Sequence, residues 1–240
     1  MSKFTPPVPT PRDEAAWLQP LPDAFLAGAV EQPPGPEARY EQSEAISLAF
    51  VAALQLLPPR QVAVLILRDV LGFHADEVAE MLEVTVQSVN SALKRARAGL
   101  QRHQPAGGHE PPPTASSPAE DAIVATFARA WESADLDALV ALLTDDVFIA
   151  MPPEPFGYEG RDAVARYWAR LFGAGRRFDL VPARANGQPA FGAYLRVPAG
   201  IRHATGLYVL TLAGDGICGM TRFDNTVLPW FGLPPSLPSR

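Results

Sequence analysis

A chain of 240 residues with 48% hydrophobic and 19% charged residues has the composition of a globular protein of one large or two modest domains. Its formal net charge of −6 excludes a protein that coats nucleic acid with its whole surface. No apolar run approaches the length of a membrane-spanning helix, and the start of the chain lacks the apolar core of a secretory signal, so we expect no membrane contact. Because the single cysteine, Cys218, cannot form an internal disulfide, a cytoplasmic location is the default expectation.

Clustered prolines divide the chain into segments. Proline accounts for 26 of the 240 residues, roughly twice its usual frequency. The run QPAGGHEPPPTASSP has no apolar periodicity and is predicted to be a flexible linker. The predicted organisation is an N-terminal lead (1–42), a helical domain (43–103), the linker (104–118), a C-terminal domain (119–228) and a proline-rich tail (229–240).

The helical domain is predicted to contain four helices. Apolar spacing, with prolines and glycines as boundaries, places them at 43–57, 59–71, 75–82 and 86–102. Pro59 suits the first turn of the second helix, and Gly72 ends it. The three-residue gap between the last two helices fits the corner of a helix-turn-helix.

The fourth predicted helix carries cations and no acid. Its charged residues are Lys94, Arg95, Arg97 and Arg102, in a protein that is acidic overall. A basic stripe on a single element is typical of a phosphate contact, although a solvated helix face has the same composition. Val86, Val89 and Leu93 follow at helical spacing and are expected to face the core.

The C-terminal domain is predicted to place helices before strands. Predicted helices cover 119–131, 136–143 and 161–172, and predicted strands cover 145–151, 178–183, 190–197, 204–212 and 217–226. Asn186-Gly187 and Gly214-Asp215-Gly216 are hairpin turn signals. Helices followed by an antiparallel meander predict an α+β domain.

The stretch 57–100 resembles region 4 of sigma-70 family factors of the extracytoplasmic-function (ECF) type. The resemblance is carried by LPPRQ at 57–61, DVLGF at 69–73, EVAEML at 77–82 and the arginines of RAR at 95–97. It implies a helix-turn-helix that binds promoter −35 DNA and the flap of RNA polymerase. The exposed start of a recognition helix meets base edges, and its cations meet phosphates. The predicted DNA-binding residues are Gln87, Ser88, Asn90, Ser91, Lys94, Arg95 and Arg97.

The resemblance also implies a domain that this sequence lacks. Sigma factors carry a region 2 before region 4, and the lead 1–42 is too short to hold one. The segment WLQPLPD (17–23) resembles the linker between the two domains in factors that also carry a C-terminal SnoaL-like domain. We therefore expect a fragment, a truncated product or a repurposed region 4 that does not open promoters alone.

Residues 119–228 resemble the SnoaL-like group of the nuclear-transport-factor-2-like superfamily. The resemblance is carried by Ala130-Trp131, LLTDDV at 142–147, Gly160-Arg161 and Arg222-Phe223-Asp224. It implies a cone-shaped barrel with a curved antiparallel sheet, an apolar interior for a small ligand, and homodimers through the outer face of the sheet. The residues expected to line the interior, unless they form an ordinary core, are Trp131, Phe148, Met151, Tyr158, Trp168, Phe191, Tyr194 and Tyr208.

Catalysis by such a domain would need a base in a partly desolvated pocket. Asp224 and His203 are the weak candidates, and for Asp224 a turn contact or ion pair is the favoured role. Asn186 and Arg222 are further polar residues near strand ends. No catalytic residue is assigned, and neither a metal nor a cofactor is expected.

Three functions remain open from the sequence. The favoured one is a transcription factor whose region 4 binds promoter DNA and polymerase, regulated by the SnoaL-like domain through a ligand or through contact with the lead near Trp17. The second is a SnoaL-like cyclase, isomerase or hydrolase with a relic region 4. The third is a module that binds the polymerase flap without reading DNA.

Overall fold

The computed structural model describes residues 5–11, 18–26, 51, 54–55, 57–103, 110–154, 156–197 and 200–238. The chain forms two compact units. One unit spans 33–107, and the other joins 1–32 to 108–240. Residues 1–32 of the lead, which was expected to be a segment of its own, therefore belong to the same unit as the C-terminal domain.

The described residues form both helices and strands, and the strands all lie outside the helix-turn-helix region. The described α-helices are α1 (Asp23–Leu26), α2 (Pro59–Leu65), α3 (Ala75–Met81), α4 (Val86–His103), α5 (Pro118–Ser133), α6 (Leu136–Ala141) and α7 (Arg161–Gly173). The described strands are β1 (Thr10–Pro11), β2 (Leu143–Ala150), β3 (Phe156–Glu159), β4 (Phe178–Ala185), β5 (Gln188–Leu195), β6 (Arg202–Ala213), β7 (Gly216–Phe223) and β8 (Ser236–Leu237).

The helical unit packs α2, α3 and α4 around one small core. Its buried residues are Leu57, Val64, Leu65, Val78, Ala79, Val89, Ala92, Leu93 and Ala96. Val89 and Leu93 face this core as predicted, but Val86 is 42% exposed. Val86 begins α4, so no preceding turn of the helix shields it. The first predicted helix lies outside the described residues except at positions 51, 54 and 55, which are helical.

Local hydrogen bonds set the corner of the helix-turn-helix. The Glu77 carboxylate accepts a hydrogen bond from the backbone N–H of His74, the residue that precedes α3. Thr85 Oγ1 accepts the backbone N–H of Ser88 at 3.1 Å, which satisfies a free donor in the first turn of α4. The first contact fixes the start of α3, and the second fixes the start of α4, the helix predicted to read DNA.

One mixed sheet forms the base of the second unit. Its strand order is β1-β3-β2-β7-β6-β5-β4, and β8 pairs with one end of β6. The β2–β7 pair is parallel, and the other described pairs are antiparallel. The predicted α+β domain with a curved sheet is confirmed, but the sheet is mixed rather than wholly antiparallel, and it does not close into a barrel. The sheet is open because the edge strands β1 and β4 do not pair, and β7 enters between β2 and β6.

The predicted hairpins are present, but the last strand is shorter than predicted. Ala185 pairs with Gln188 and Ala213 pairs with Gly216, so each hairpin closes through a two-residue turn. The strand predicted to reach 226 ends at Phe223. The Asp224 carboxylate accepts the backbone N–H of Thr226 and so caps a 3₁₀ helix, Asn225–Phe231.

The inner face of the sheet packs against α5, α6 and α7 around a large aromatic core. Trp131 of α5 is fully buried at its centre. Its ring centroid lies 5.2 Å from Tyr208, 5.4 Å from Phe172 and 5.7 Å from Trp168. Such tilted and edge-to-face contacts are favourable geometries for aromatic pairs.

The C-terminal tail covers part of the outer face. A Cβ atom added at Gly192 would meet side chains of Leu233 and Leu228, so the tail approaches the backbone of β5 closely. The Tyr194 hydroxyl donates to the carbonyl oxygen of Pro234 at 2.9 Å. Tyr194 therefore lies on the outer face, because side chains alternate along β5 and Phe191 faces inward. Its predicted place inside the cone is wrong.

Candidate nucleic-acid interface and ligand site

Helix α4 presents a polar face on the side opposite its core. Gln87, Asn90, Ser91, Lys94 and Arg95 are all exposed. Val89 and Ala96 of the same helix are fully buried. The fold therefore brings five of the seven residues predicted to contact DNA onto one accessible surface, rich in amide and cationic donors that suit base edges and phosphates.

Ser88 lies at the edge of this face, beside a cation that the sequence analysis missed. The Arg60 guanidinium, from the start of α2, donates to Ser88 Oγ at 3.1 Å, and Arg60 is exposed. The two residues are 28 positions apart. Spacing within one helix cannot reveal such a neighbour; the arginine of the LPPRQ motif was the available signal.

Arg97, the remaining predicted contact, forms an ion pair within the helical unit. Its Nε and Nη2 atoms donate to the two Asp69 carboxylate oxygens at 2.9 Å and 2.8 Å. The hydrogen bond to Asp69 raises the pKa of Arg97, so the guanidinium stays charged. Asp69 lies in a π-helical turn, Ile66–Val70, that follows α2. The side chain of Arg102 lies outside the described residues.

Most of the predicted interior residues meet on the inner face of the sheet. Trp131, Tyr158, Trp168, Phe191 and Tyr208 belong to one buried cluster, and Met151 packs against it. Phe148, like Tyr194, falls on the other face, because Val147 and Ile149 on either side of it point inward. These aromatic residues form a packed core with a polar edge.

That polar edge is formed by Arg222 and three tyrosines. Tyr208 pairs with Arg222 across β6 and β7, and antiparallel partners point to the same side of a sheet. The Arg222 guanidinium donates to the Thr205 carbonyl oxygen at 2.9 Å. The rings of Tyr158 and Tyr167 stack with centroids 4.5 Å apart. Burial raises the pKa of Tyr167 well above its ordinary value, so its hydroxyl stays protonated at neutral pH.

The two weak catalytic candidates do not form a buried acid–base pair. Asp224 is exposed, and the hydrogen bonds that it accepts from Thr226 lower the pKa of its carboxyl. His203 is exposed and pairs with Leu195 and Ser236 at the far end of β6. A carboxylate with a lowered pKa on the surface is a capping group, not a poised general base.

The lead docks on the second unit through its backbone. Strand β1 pairs with β3, and the Tyr158 hydroxyl donates to the Pro7 carbonyl oxygen at 3.2 Å. Leu21 exchanges two hydrogen bonds with Asn186, which puts this polar candidate in the hairpin turn. Trp17, near which the lead was predicted to contact the SnoaL-like domain, lies outside the described residues.

An acidic side chain of α1 fixes the lead at the same hairpin. Asp23 accepts hydrogen bonds from Arg184 Nε at 3.2 Å and from the backbone N–H of Gly187 at 2.8 Å. Arg184 also bonds Glu120, which is 2% exposed. The lead thus meets the hairpin through a chain of charged groups.

The described residues offer no metal centre and no membrane span. They hold no group of three or more His, Cys, Asp or Glu side chains arranged to bind a metal ion. Among the described helices, none combines the length and the apolar character needed to cross a bilayer.

Comparison with known families assigns a different family to each unit. The family "Sigma-70, region 4" matches residues 47–100, and the family "SnoaL-like domain" matches residues 124–217. The first match falls within the helical unit and the second within the unit that contains the sheet.

Two ECF sigma factors are also similar to the chain. It is 40% identical over 230 residues to the ECF RNA polymerase sigma factor SigG of Mycobacterium tuberculosis, from strains CDC 1551 / Oshkosh and ATCC 25618 / H37Rv. This alignment covers 94% of the chain, which spans 60% of the length of these relatives. The crystal structure of the extracytoplasmic function sigma factor SigJ of M. tuberculosis matches with a TM-score of 0.59 and 24% identity, over 93% of this chain and 77% of that one.

Proposed function

We propose that this chain, in which a match to sigma-70 region 4 precedes a match to the SnoaL-like domain, acts as a transcription initiation factor of the ECF type. In this proposal region 4 binds promoter −35 DNA and RNA polymerase, and the SnoaL-like domain regulates it. The observation that carries the proposal is the exposed face of α4, where amide, hydroxyl and cationic groups lie opposite a fully buried core. Such a factor works in the cytoplasm.

The roles proposed on α4 follow from its geometry. Gln87 and Asn90, near the exposed start of the helix, read base edges, since amides pair with adenine in the major groove. Ser88 and Ser91 donate to bases or phosphates. Lys94 and Arg95 bind the backbone phosphates that flank the groove.

Polymerase binding is proposed for a different surface of region 4. Val70, Leu71 and Met81 are exposed by 44%, 58% and 51%. Apolar residues that remain exposed on a small helical unit favour contact with another protein. We assign them to the polymerase flap, which leaves the polar face of α4 available for DNA.

Regulation is proposed to act through the lead. The segment that resembles the sigma inter-domain linker docks on the SnoaL-like domain by the two Leu21–Asn186 hydrogen bonds and by the Asp23–Arg184 ion pair. A linker held in this way is not available to RNA polymerase. Release of the lead would then raise the affinity of the chain for polymerase.

Two further parts of the proposal concern the SnoaL-like domain. We propose that its inner face takes a small-molecule ligand beside the aromatic cluster. We also propose that it forms homodimers, as the resemblance implies. The tail already covers β5 at Gly192, so the dimer would use the rest of the outer face. Light scattering on the purified chain tests this part, with a mass of two copies expected.

DNA titration tests the central proposal. The full chain is mixed with a fluorescent promoter duplex that contains a −35 element, and anisotropy is measured between 50 and 200 mM salt, roughly the range over which phosphate contacts weaken. We expect binding that weakens steeply with salt and that charge reversal at Lys94 and Arg95 abolishes. If the chain binds RNA polymerase but does not bind the duplex, the result would support the flap-binding alternative and contradict the proposal that α4 binds DNA.

A further inference from the structure

We infer that the inner face of the sheet binds a small organic anion, whose charged oxygen atoms lie between Arg222 and Tyr208. The inference rests on the interior ligand proposed above and specifies its charge. It concerns the edge of the aromatic cluster, within the unit that contains the sheet.

The sheet register places the relevant side chains in one row. Phe191 pairs with Tyr208, and Tyr208 pairs with Arg222, on three neighbouring strands. Because Ala150 pairs with Thr221 in parallel register, Met151 follows beside Arg222. Phe191 and Tyr208 are buried, whereas Met151 and Arg222 are partly exposed. The row therefore runs from the buried core to the surface, so a ligand could reach it from solvent.

The positive charge of Arg222 is not neutralised by a salt bridge to a described carboxylate. Among the described residues, Arg222 forms no salt bridge. Its guanidinium donates to the Thr205 carbonyl oxygen and hydrogen-bonds the Tyr208 hydroxyl, and both of these partners are neutral. The acid nearest along the chain, Asp224, is bonded to Thr226. A guanidinium has five N–H donors in a planar fork that matches a carboxylate. Arg222 thus keeps donors to spare for an anion.

Neutral donors beside Arg222 would bind the same anion. Burial raises the pKa of Tyr208, so its hydroxyl remains a donor at neutral pH. Trp131, with its ring centroid 5.2 Å from that of Tyr208, has an indole Nε1 with no partner, and so has Trp168. A buried N–H without an acceptor is destabilising. The cluster therefore combines excess donors with apolar walls, which suits a carboxylate on an aromatic or aliphatic body.

Paired probes test the charge of the ligand. The full chain is titrated with 2-naphthoate and with 2-naphthamide, which share a ring system and differ in charge. Nitrogen-15 NMR follows the indole N–H signals of Trp131 and Trp168, with Trp230, 47% exposed, as the internal control. We expect 2-naphthoate to shift both buried signals, to leave Trp230 in place, and to bind about tenfold more tightly than the amide.

Variants locate the site. Arg222→Met should abolish the preference for the acid, and Tyr208→Phe should weaken acid binding about fivefold with little effect on the amide. Arg166→Met, at an exposed arginine of α7, should change neither. If Arg222→Met does not fold, Tyr208→Phe decides the test. Equal binding of acid and amide, unchanged acid binding in Tyr208→Phe, or no binding of either probe at millimolar concentration would overturn the inference. DNA binding, measured separately by anisotropy, is expected to stay unchanged in these variants.

Discussion

Among single residues, Arg60 adds a cation to the DNA-reading surface through its hydrogen bond to Ser88. If it binds a phosphate, Arg60→Ala should reduce the slope of log affinity against log salt by about 1, because one fewer counterion is released. Anisotropy titrations across salt concentrations measure this slope.

Arg129→Ala is the matched control. Arg129 is also an exposed arginine bonded to a hydroxyl, that of Thr126 at 3.2 Å, but it lies on α5 of the other unit. The substitution Arg129→Ala removes the same charge as Arg60→Ala, but it should leave the slope of log affinity against log salt unchanged. If wild type and Arg60→Ala gave equal slopes, Arg60 would not contact a DNA phosphate.

Asp69 limits the availability of Arg97 for DNA. The two side chains form a two-point ion pair, with Arg97 59% and Asp69 30% exposed. Exposed pairs stabilise folds by about 1 kcal/mol or less. Asp69→Asn should therefore leave the melting temperature nearly unchanged but tighten DNA binding, because it frees the guanidinium for a phosphate. Weaker DNA binding in a well-folded Asp69→Asn would show that the pair positions Arg97 for its contact.

Cys218 is predicted to be chemically inert in the folded chain. Burial raises the pKa of its thiol to about 11, and the side chain is 4% exposed. Since the thiolate is the reactive form, iodoacetamide at pH 8 should label the unfolded chain and leave the native chain unmodified over the same time. Because the folded pKa is the higher one, this group's contribution to stability is present below about pH 8.5 and is lost as pH rises toward 11. Rapid native labelling at pH 8 would contradict the burial.

At the scale of elements, Asp179 joins two strands to the tail. Its carboxylate, 4% exposed, accepts hydrogen bonds from Arg196, which follows β5 directly, and from Arg202 on β6. Arg202 also donates to the Pro238 carbonyl oxygen. Burial alone would raise the pKa of Asp179, but the two arginines outweigh it, and the net effect lowers the pKa.

Asp179→Asn should destabilise the chain by about 2 kcal/mol at pH 7, since it leaves two arginines without their acid. Because the folded pKa is lowered, the contribution of Asp179 is present above the unfolded pKa near 4 and is lost as pH falls through the folded value. Urea denaturation of both proteins at pH 7 and pH 3 measures the difference. If the difference in unfolding free energy between wild type and Asp179→Asn were as large at pH 3 as at pH 7, the ionic role of Asp179 would be contradicted.

The elements that the sequence predicted are those with strong local signals. Helix α4 and the hairpin at Asn186-Gly187 follow from apolar spacing and turn residues, which need no knowledge of distant segments. Strands β1 and β8 have two residues each, too few for alternation to show. The parallel β2–β7 pair joins segments separated by four other strands in the chain, and local patterns carry no information about that pairing.

At the scale of the whole molecule, the lead belongs to the unit that contains the sheet. Asp23→Ala removes its ion pair with Arg184 and its hydrogen bond to Gly187. It should lower the melting temperature of that unit by a few degrees, as loss of about 1 kcal/mol does, and strengthen polymerase binding if the docked lead is inhibitory. Calorimetry and a polymerase pull-down measure the two effects. Asp135→Ala, which removes a helix cap at the start of α6, controls for destabilisation alone. An equal gain in polymerase binding from both variants would contradict a specific role of the lead.

Some features of the candidate sites could also be predicted from the sequence, and others could not. The exposed face of α4 was predictable because a helix places residues three and four apart together. The Arg60–Ser88 contact, the Asp69–Arg97 pair and the docked lead join residues from 28 to more than 160 positions apart. Only the packing of the folded chain brings them into contact, so spacing alone could not predict them.

Sequence selection tests most directly whether α4 reads promoter DNA. The full chain is incubated with a pool of random duplexes, and the bound fraction is sequenced after several rounds. We predict enrichment of one short motif, and a preference that Gln87→Ala and Asn90→Ala each relax at separate base pairs by about 1–3 kcal/mol. A bound pool as random as the input, or a motif that both variants retain unchanged, would contradict base reading by this helix.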